Sequence, residues 1–168
     1  MYSGLVQMES TMTGALLVKN LSDVPVDADA LPTFRVYDDS GFLSAGTCTL
    51  LEQESITAAS NASPIVITSA NHGLTTGARV TISGVLGNTA ANGTFVVTRI
   101  DANTFSLASS AGNGAYTSGG SWHPTGCYSW SVGALGADGF AAGENYSVLF
   151  NWLLATVAKG EQHAFTVV

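Results

Sequence analysis

Positive charge is scarce in this sequence. Five Lys and Arg stand against twelve Asp and Glu, for a net charge of −7, and no cluster of basic residues exists to neutralise phosphates. That excludes nucleic acid as an expected partner, and the same deficit argues against an anionic membrane surface. Cysteine is nearly absent: Cys48 and Cys127 are too few for a disulfide-built scaffold, and their number leaves the redox compartment open. The three histidines, His72, His123 and His163, fall in no nucleophile-elbow or cysteine-protease context and show no paired metal-ligand spacing. Long apolar runs are also missing. The longest, Tyr146 to Ala158, is too short to span a membrane and is broken by Asn151. The first residues lack a basic stretch followed by an apolar core, so no secretory leader is expected.

Further absences narrow the chemistry. Asp27, Asp29, Asp38 and Asp39 depart from the alternating spacing of a calcium loop and lack the closing Glu, so they read as turn carboxylates. Glu52, Glu54, Asp101 and Glu144 are available to a glycosidase, yet nothing pairs them. The glycine-rich runs Gly112 to Gly120 and Gly133 to Gly143 are followed by no Lys-Ser/Thr and read as loops between strands, not phosphate cradles. The expectation is a protein that is not an enzyme and holds no cofactor or metal.

What is abundant is Gly, Ser, Thr, Ala and Asn, a composition suited to a β protein with many turns. A chain of 168 residues normally forms one domain, or one with a small companion. From Pro64 to Trp122, short runs rich in β-branched and aromatic residues alternate with turn signals. The runs are Ile65 to Thr68, Ala78 to Ser83, Thr94 to Ile100, Thr104 to Ala108 and Tyr116 to Trp122. Between them stand Asn71-His72-Gly73, Gly87-Asn88, Asn92-Gly93, Asp101 to Asn103 and Asn113-Gly114. That spacing predicts a small antiparallel barrel or sandwich.

The flanks carry their own strands. Met1 to Thr13 reads as a loosely ordered arm. Ala15 to Val18, Thr33 to Tyr37, Gly46 to Leu51, Cys127 to Val132 and His163 to Val168 read as strands, with turns at Asp38 to Gly41 and Lys159-Gly160. Polar connectors at Glu52 to Ala62 and His123 to Gly126 frame the inner stretch. The simplest organisation is an outer sandwich, residues 1–60 and 123–168, with a module inserted at 61–122, because loop tips tolerate insertions at little entropic cost. One continuous sheet is the alternative.

Two sets of residues are candidates for contact. Tyr146 to Ala158, read as a strand, puts Tyr146, Val148, Phe150, Trp152 and Leu154 on one face and Leu149, Leu153 and Ala155 on the other. The first face suits a core, and the second is too apolar for water, which marks it as a candidate interface with another subunit. A helical stripe through Tyr146, Leu149, Phe150, Leu153, Leu154 and Val157 competes with this reading. Among the aromatics, Tyr116 and Trp122 are candidates for a surface that grips carbohydrate or protein, whereas Trp130 reads as core.

The inner stretch, with Ala70-Asn71-His72-Gly73-Leu74-Thr75-Thr76-Gly77, Val80-Thr81-Ile82-Ser83-Gly84, Asn92-Gly93-Thr94 and Ile100-Asp101-Ala102-Asn103-Thr104-Phe105, resembles a β module that recurs in tailed-bacteriophage virion proteins. That module is often likened to the first catalytic cysteine half-domain of ubiquitin-activating enzymes. The resemblance implies a fold and not a ubiquitin activity, since no cysteine lies between Cys48 and Cys127. The flanks, through Leu31-Pro32-Thr33-Phe34-Arg35-Val36-Tyr37, Thr125-Gly126-Cys127-Tyr128 and Phe140 to Val148, are similar to an immunoglobulin-like domain of phage structural proteins.

The two resemblances together imply an all-β virion component. It would be an immunoglobulin-like sandwich interrupted by an inserted small barrel-like module, assembled in the bacterial host cytoplasm. Its partners would be other virion proteins and further copies of itself, in capsid decoration or in a neck, tail or fibre. A carbohydrate- or receptor-binding module of the tail is the alternative, with a host surface glycan as partner. Cys48 and Cys127 are expected close together on antiparallel stems, and a reducing cytosol would leave them as thiols.

Overall fold

The computed structural model describes residues 5–6, 11–51, 53–133 and 139–167. These divide into two compact units, one built from the chain up to Leu50 and from Gly126 onward, the other from Leu51 to Thr125. The fold is all-β; the short 3-10 turn Thr89–Ala91 is the one helical element among the described residues.

The outer unit is a two-layer sandwich. Its strands are β1 (Leu5–Val6), β2 (Thr11–Leu17), β3 (Thr33–Asp38), β4 (Gly41–Thr47), β5 (Thr49–Leu50), β13 (Cys127–Gly133), β14 (Asn145–Leu154) and β15 (Val157–Val167). The numbers between belong to the inner unit. One sheet has the order β1-β15-β14-β3-β4 and the other β2-β13-β5. The first strand pairs parallel with the last, and β3 crosses to lie beside β14, not beside β2. This is the Greek-key arrangement of an immunoglobulin-like fold. The expected arm therefore contributes strand residues at Leu5–Val6 and from Thr11 on; the rest of it lies outside the described residues.

Alternation explains the layers. Phe34 and Val36 of β3, with Tyr146, Val148 and Phe150 of β14, point inward and meet Leu16, Tyr128, Trp130 and Val132 from the facing sheet. Phe34, Trp130 and Phe150 stack edge-on or tilted, with centroids 5.3 to 6.4 Å apart. Two of these rings lie over cross-strand glycines: Trp130 is paired with Gly14, and Phe34 with Gly46. The Tyr146 hydroxyl accepts the Ala141 N–H at 2.7 Å, tying the start of β14 to the loop before it. A tyrosine in that place is a hallmark of immunoglobulin-like sandwiches.

The stretch from Tyr146 on is a strand followed by a hairpin, which closes the helical alternative. The turn, however, lies at Ala155-Thr156 and not at Lys159-Gly160, since Leu154 pairs with Val157 and both Lys159 and Gly160 belong to β15. Both turn residues have positive φ, 49° and 66°. A two-residue hairpin of that shape favours Asn-Gly, and neither residue here signals it. The Asp29 carboxylate compensates from far along the chain, accepting the Ala155 N–H at 3.3 Å and the Thr156 N–H at 2.8 Å.

The inner unit comprises β6 (Glu54–Ser55), β7 (Ala58–Ala59), β8 (Val66–Thr68), β9 (Arg79–Ser83), β10 (Gly93–Arg99), β11 (Thr104–Leu107) and β12 (Ser121–Pro124), in the sheet order β6-β12-β9-β10-β11-β8-β7. The first and last members of that order are two halves of one stretch, 54–59. It pairs with β12 through Glu54 and Ser55 and with β8 through Ala58 and Ala59. The sheet thus curls round to meet itself, which removes its free edges. Residues 54–59, expected as connector, are the strand that closes the barrel. Ile56, Ile65, Ile67, Val80, Ile82, Val97, Phe105, Leu107 and Trp122 fill the interior.

Asparagines and aspartates fasten the loops of this unit. Buried Asn88 donates to the Ser60 carbonyl at 2.8 Å and accepts the Asn113 N–H at 3.1 Å. Asp101 accepts the N–H groups of Asn103 (2.7 Å) and Thr104 (2.8 Å), closing the turn between β10 and β11. Those hydrogen bonds hold its carboxyl below the ordinary carboxylate range.

Candidate functional site

Among the described residues, several of the candidate catalytic groups are taken up as partners of turns and backbone. His72 is buried, with Nδ1 accepting the Leu74 N–H at 3.1 Å, which places the ring proton on Nε2 for donation to the Asp101 carbonyl at 3.0 Å. Its ring meets Phe105 edge-on at 5.0 Å, so it braces a turn. Among the described residues, no group of three or more His, Cys, Asp or Glu is placed to hold a metal. The aspartates are engaged with backbone: Asp27 accepts the Gly126 N–H at 2.7 Å, and Asp38 accepts those of Ser40 and Gly41 at 2.8 and 2.7 Å. The Ser40 hydroxyl also donates to Asp38, and that bond leads in holding the Asp38 carboxyl below its usual range. Glu52 lies outside the described residues. Glu144 sits with Asp38, Asp39 and Tyr146 around an open hollow of about 240 Å³.

The cysteine stems do pair antiparallel: Tyr128 lies opposite Leu50 and Ser129 opposite Thr49. Continuing that register by one residue sets Cys48 against Trp130, not against Cys127, and no disulfide joins them. Cys48 is fully buried, and burial pushes its thiol up to about 11. A raised acid pKa means that the folded state keeps a proton the unfolded state gives up. The stability linked to Cys48 is therefore complete below the unfolded value of 9.0 and falls as pH rises towards about 11. Denaturant midpoints measured at intervals across that window should drop in wild type and drop less in Cys48→Ala. Parallel slopes would contradict the assignment.

The candidate aromatic contact separates into two different residues. Trp122 lies in the barrel core, 1% exposed, with its indole N–H donated to Ser69 Oγ at 2.9 Å. It offers no surface, which corrects its place as a contact residue: β12 is held on both sides, by β6 and β9, and Trp122 points inward from it. Tyr116 is half-buried, packed on the same core, and its hydroxyl has the Ile56 and Gly119 carbonyls within donating distance, at 3.2 and 3.0 Å, to share its one proton. It fastens a loop and presents only part of its ring.

The outer face of the five-stranded sheet is where apolar surface gathers. Pairing registers set Leu149 between Arg35 and Gln162, Asn151 between Thr33 and Gly160, and Ser147 between Tyr37 and Ala164. Leu153 lies beside Ala158 and is 42% exposed. At the β4 end, Phe42 is 58% exposed and meets Tyr37 edge-on at 5.9 Å. Leu149 is half-buried by these neighbours. Ala155 does not belong to the face: it is the first residue of the hairpin turn. Arg35 carries the one charge among the residues named here. This side of the sheet mixes apolar Leu149, Leu153, Ala158, Tyr37 and Phe42 with Ser147, Asn151, Thr33 and Gln162 and the one cation Arg35. Sequence reasoning reached Leu149 and Leu153 but missed Phe42 and Arg35. The signal for Arg35 was the alternation in Thr33 to Tyr37, which sets Arg35 and Tyr37 on the side opposite Phe34 and Val36, whereas Phe42 is placed only by its pairing with Tyr37.

The fold is that of an all-β protein with an immunoglobulin-like sandwich, and the outer side of its five-stranded sheet is partly apolar. The family model of the ubiquitin-activating enzyme E1 FCCH domain matches residues 62–124, within the inner unit. No curated protein matches the chain. Among solved structures it is similar to the phage phi92 endosialidase, at 14% identity and a TM-score of 0.33, over 85% of this chain and 27% of that one. The chain thus spans about a quarter of the endosialidase. It is also similar to ACE19, the collagen-binding subdomain of the Enterococcus faecalis surface protein ACE, at 13% identity and a TM-score of 0.23, over 97% of this chain and 92% of that one. No helix among the described residues is long and apolar enough to cross a membrane.

Proposed function

We propose that this chain is a structural, adhesive component of a tailed-phage particle, in capsid decoration or in a neck, tail or fibre, acting through protein–protein contacts and not as an enzyme. The observation that carries the contact role is the outer face of β14 and β3, with Leu149, Leu153, Arg35 and Tyr37 on one side of the sheet. The particle assignment is supported by the resemblance of the inner module to one recurrent in virion proteins. Burying each leucine against a partner contributes on the order of 1.5–3 kcal/mol. In this reading other virion proteins and further copies of the chain are the partners, and no cofactor takes part.

The variant Leu149→Ser/Leu153→Ser tests it. The purified variant should keep the wild-type melting transition, because neither side chain belongs to the core. Its incorporation into particles, measured by quantitative mass spectrometry, should fall at least about tenfold. Wild-type particles that contain no copy of the chain would sink the reading, as would normal incorporation of the variant. A host-glycan role for the same particle component draws on Phe42, an exposed ring braced edge-on by the half-buried Tyr37, against which a sugar ring can stack. Phe42→Ala would then abolish glycan-array binding and leave incorporation intact.

A further inference from the structure

The chain also carries an open edge. β15 is paired with β14 along its whole length up to Thr166, but on its other side β1 reaches only Thr166 and Val167. Among the described residues, no strand covers the outer edge of β15 from Val157 to Gln162. Which backbone groups face outward follows from the turn. In a two-residue hairpin, Leu154 and Val157 form the closing hydrogen-bonded pair, and bonded and non-bonded pairs alternate from there. Val157, Lys159 and Glu161 therefore direct their N–H and C=O groups to β14, while Ala158, Gly160 and Gln162 direct theirs away from the sheet. The same alternation turns Thr166 outward, and that is where β1 pairs.

We propose that this edge pairs with the same edge of a second copy, antiparallel about a two-fold axis at Gly160. An isologous contact places Gly160 opposite Gly160 and Ala158 opposite Gln162, so that every outward group of the three residues finds a complement. The charges select this register. Centred on Gly160, Lys159 stands opposite the second copy's Glu161, and this happens twice by symmetry. Centring the pairing one residue earlier opposes Lys159 to itself, and one residue later opposes Glu161 to itself, each a like-charge clash. Glu161 is half-exposed beside His163, 3.1 Å from its Nε2, and so lies on the edge already oriented. Gly160 adds no side chain at the axis, and β14 demands glycine there, since a Cβ would come within 2.9 Å of the Phe150 carbonyl oxygen. This contact is separate from the leucine face and does not depend on the virion reading.

Sedimentation equilibrium of the full chain, from micromolar to millimolar concentration, tests the proposal. Wild type should dimerise. Lys159→Glu and Glu161→Lys should each weaken the dimer about tenfold by turning two attractive cross-strand pairs repulsive. The double swap Lys159→Glu/Glu161→Lys should restore wild-type affinity, which also shows that neither substitution acts by misfolding. In wild type, amide exchange at Ala158, Gly160 and Gln162 should slow as concentration rises. A strictly monomeric wild type overturns the proposal. So does a dimer that ignores the single swaps, or one that dissociates in Leu149→Ser/Leu153→Ser while the charge swaps stay silent.

Discussion

Trp122→Ala should cost the inner unit about 3–5 kcal/mol, most of the stability that a barrel of this size commands. The indole is 1% exposed and meets the Phe105 ring edge-on at 5.8 Å. It sits on β12 between Glu54 of the closing stretch and Ile82 of β9, so the cavity opens where the barrel is stitched shut. Ser69 is itself buried and would lose the donor its hydroxyl accepts. Amide exchange should show Ile67, Val80 and Val97 losing protection together, because they line the same interior. Trp122→Phe keeps a six-membered ring in the core but loses the hydrogen bond and the volume of the pyrrole ring, so it should cost less than Trp122→Ala, about 1–3 kcal/mol. If Trp122→Ala left the exchange of these amides unchanged, the core assignment would be wrong.

The elements that declared themselves in the sequence are those whose partners are local. Phe34 and Val36 alternate with Arg35 and Tyr37, and the strand turns them as that alternation requires. Asp101-Ala102-Asn103 carries its own turn bonds, made within three residues, and is found where the residues placed it. The all-β class followed from such segments, whereas its immunoglobulin-like form was what the resemblance of the flanks implied. What stayed hidden depends on distant chain. The stretch 54–59 has no strand-like composition at Glu54 and Ser55 and becomes a strand because β12 and β8 each offer it an open side. The Ala155-Thr156 turn lacks turn residues because Asp29, far earlier in the chain, supplies the missing partner. Trp122 gave no sign of which way it would point, since its short strand is too brief for alternation to show. For the candidate face, alternation placed Leu149 and Leu153 opposite the core side of β14. Only the pairing register brings Arg35, Gln162 and Ala158 beside them.

Gly126→Ala should destabilise the outer unit by roughly 2–5 kcal/mol, the sum of a backbone strain and a steric clash. The residue begins the return of the chain into β13 with φ 75°, a left-handed conformation that costs any residue with a Cβ. Space is short as well. A Cβ there would lie 2.5 Å from the Val18 carbonyl oxygen and 2.8 Å from that of Val26, and both are backbone atoms already committed. Val18 donates its N–H to the Gly126 carbonyl at 2.8 Å, and Val26 donates to Val18 at 3.1 Å, so neither segment can withdraw without losing its own hydrogen bonds. Gly126 in turn donates to Asp27 at 2.7 Å. Gly143 separates the two contributions. Its φ is 87°, yet nothing lies within 4 Å of where its Cβ would be. Gly143→Ala should therefore show only the conformational penalty, about 1 kcal/mol. The two variants, unfolded in denaturant under the same conditions, should differ by more than that penalty, with Gly126→Ala the weaker. Equal midpoints would mean that the chain around Val18 and Val26 yields, and that the close packing at this corner does not hold the sandwich together.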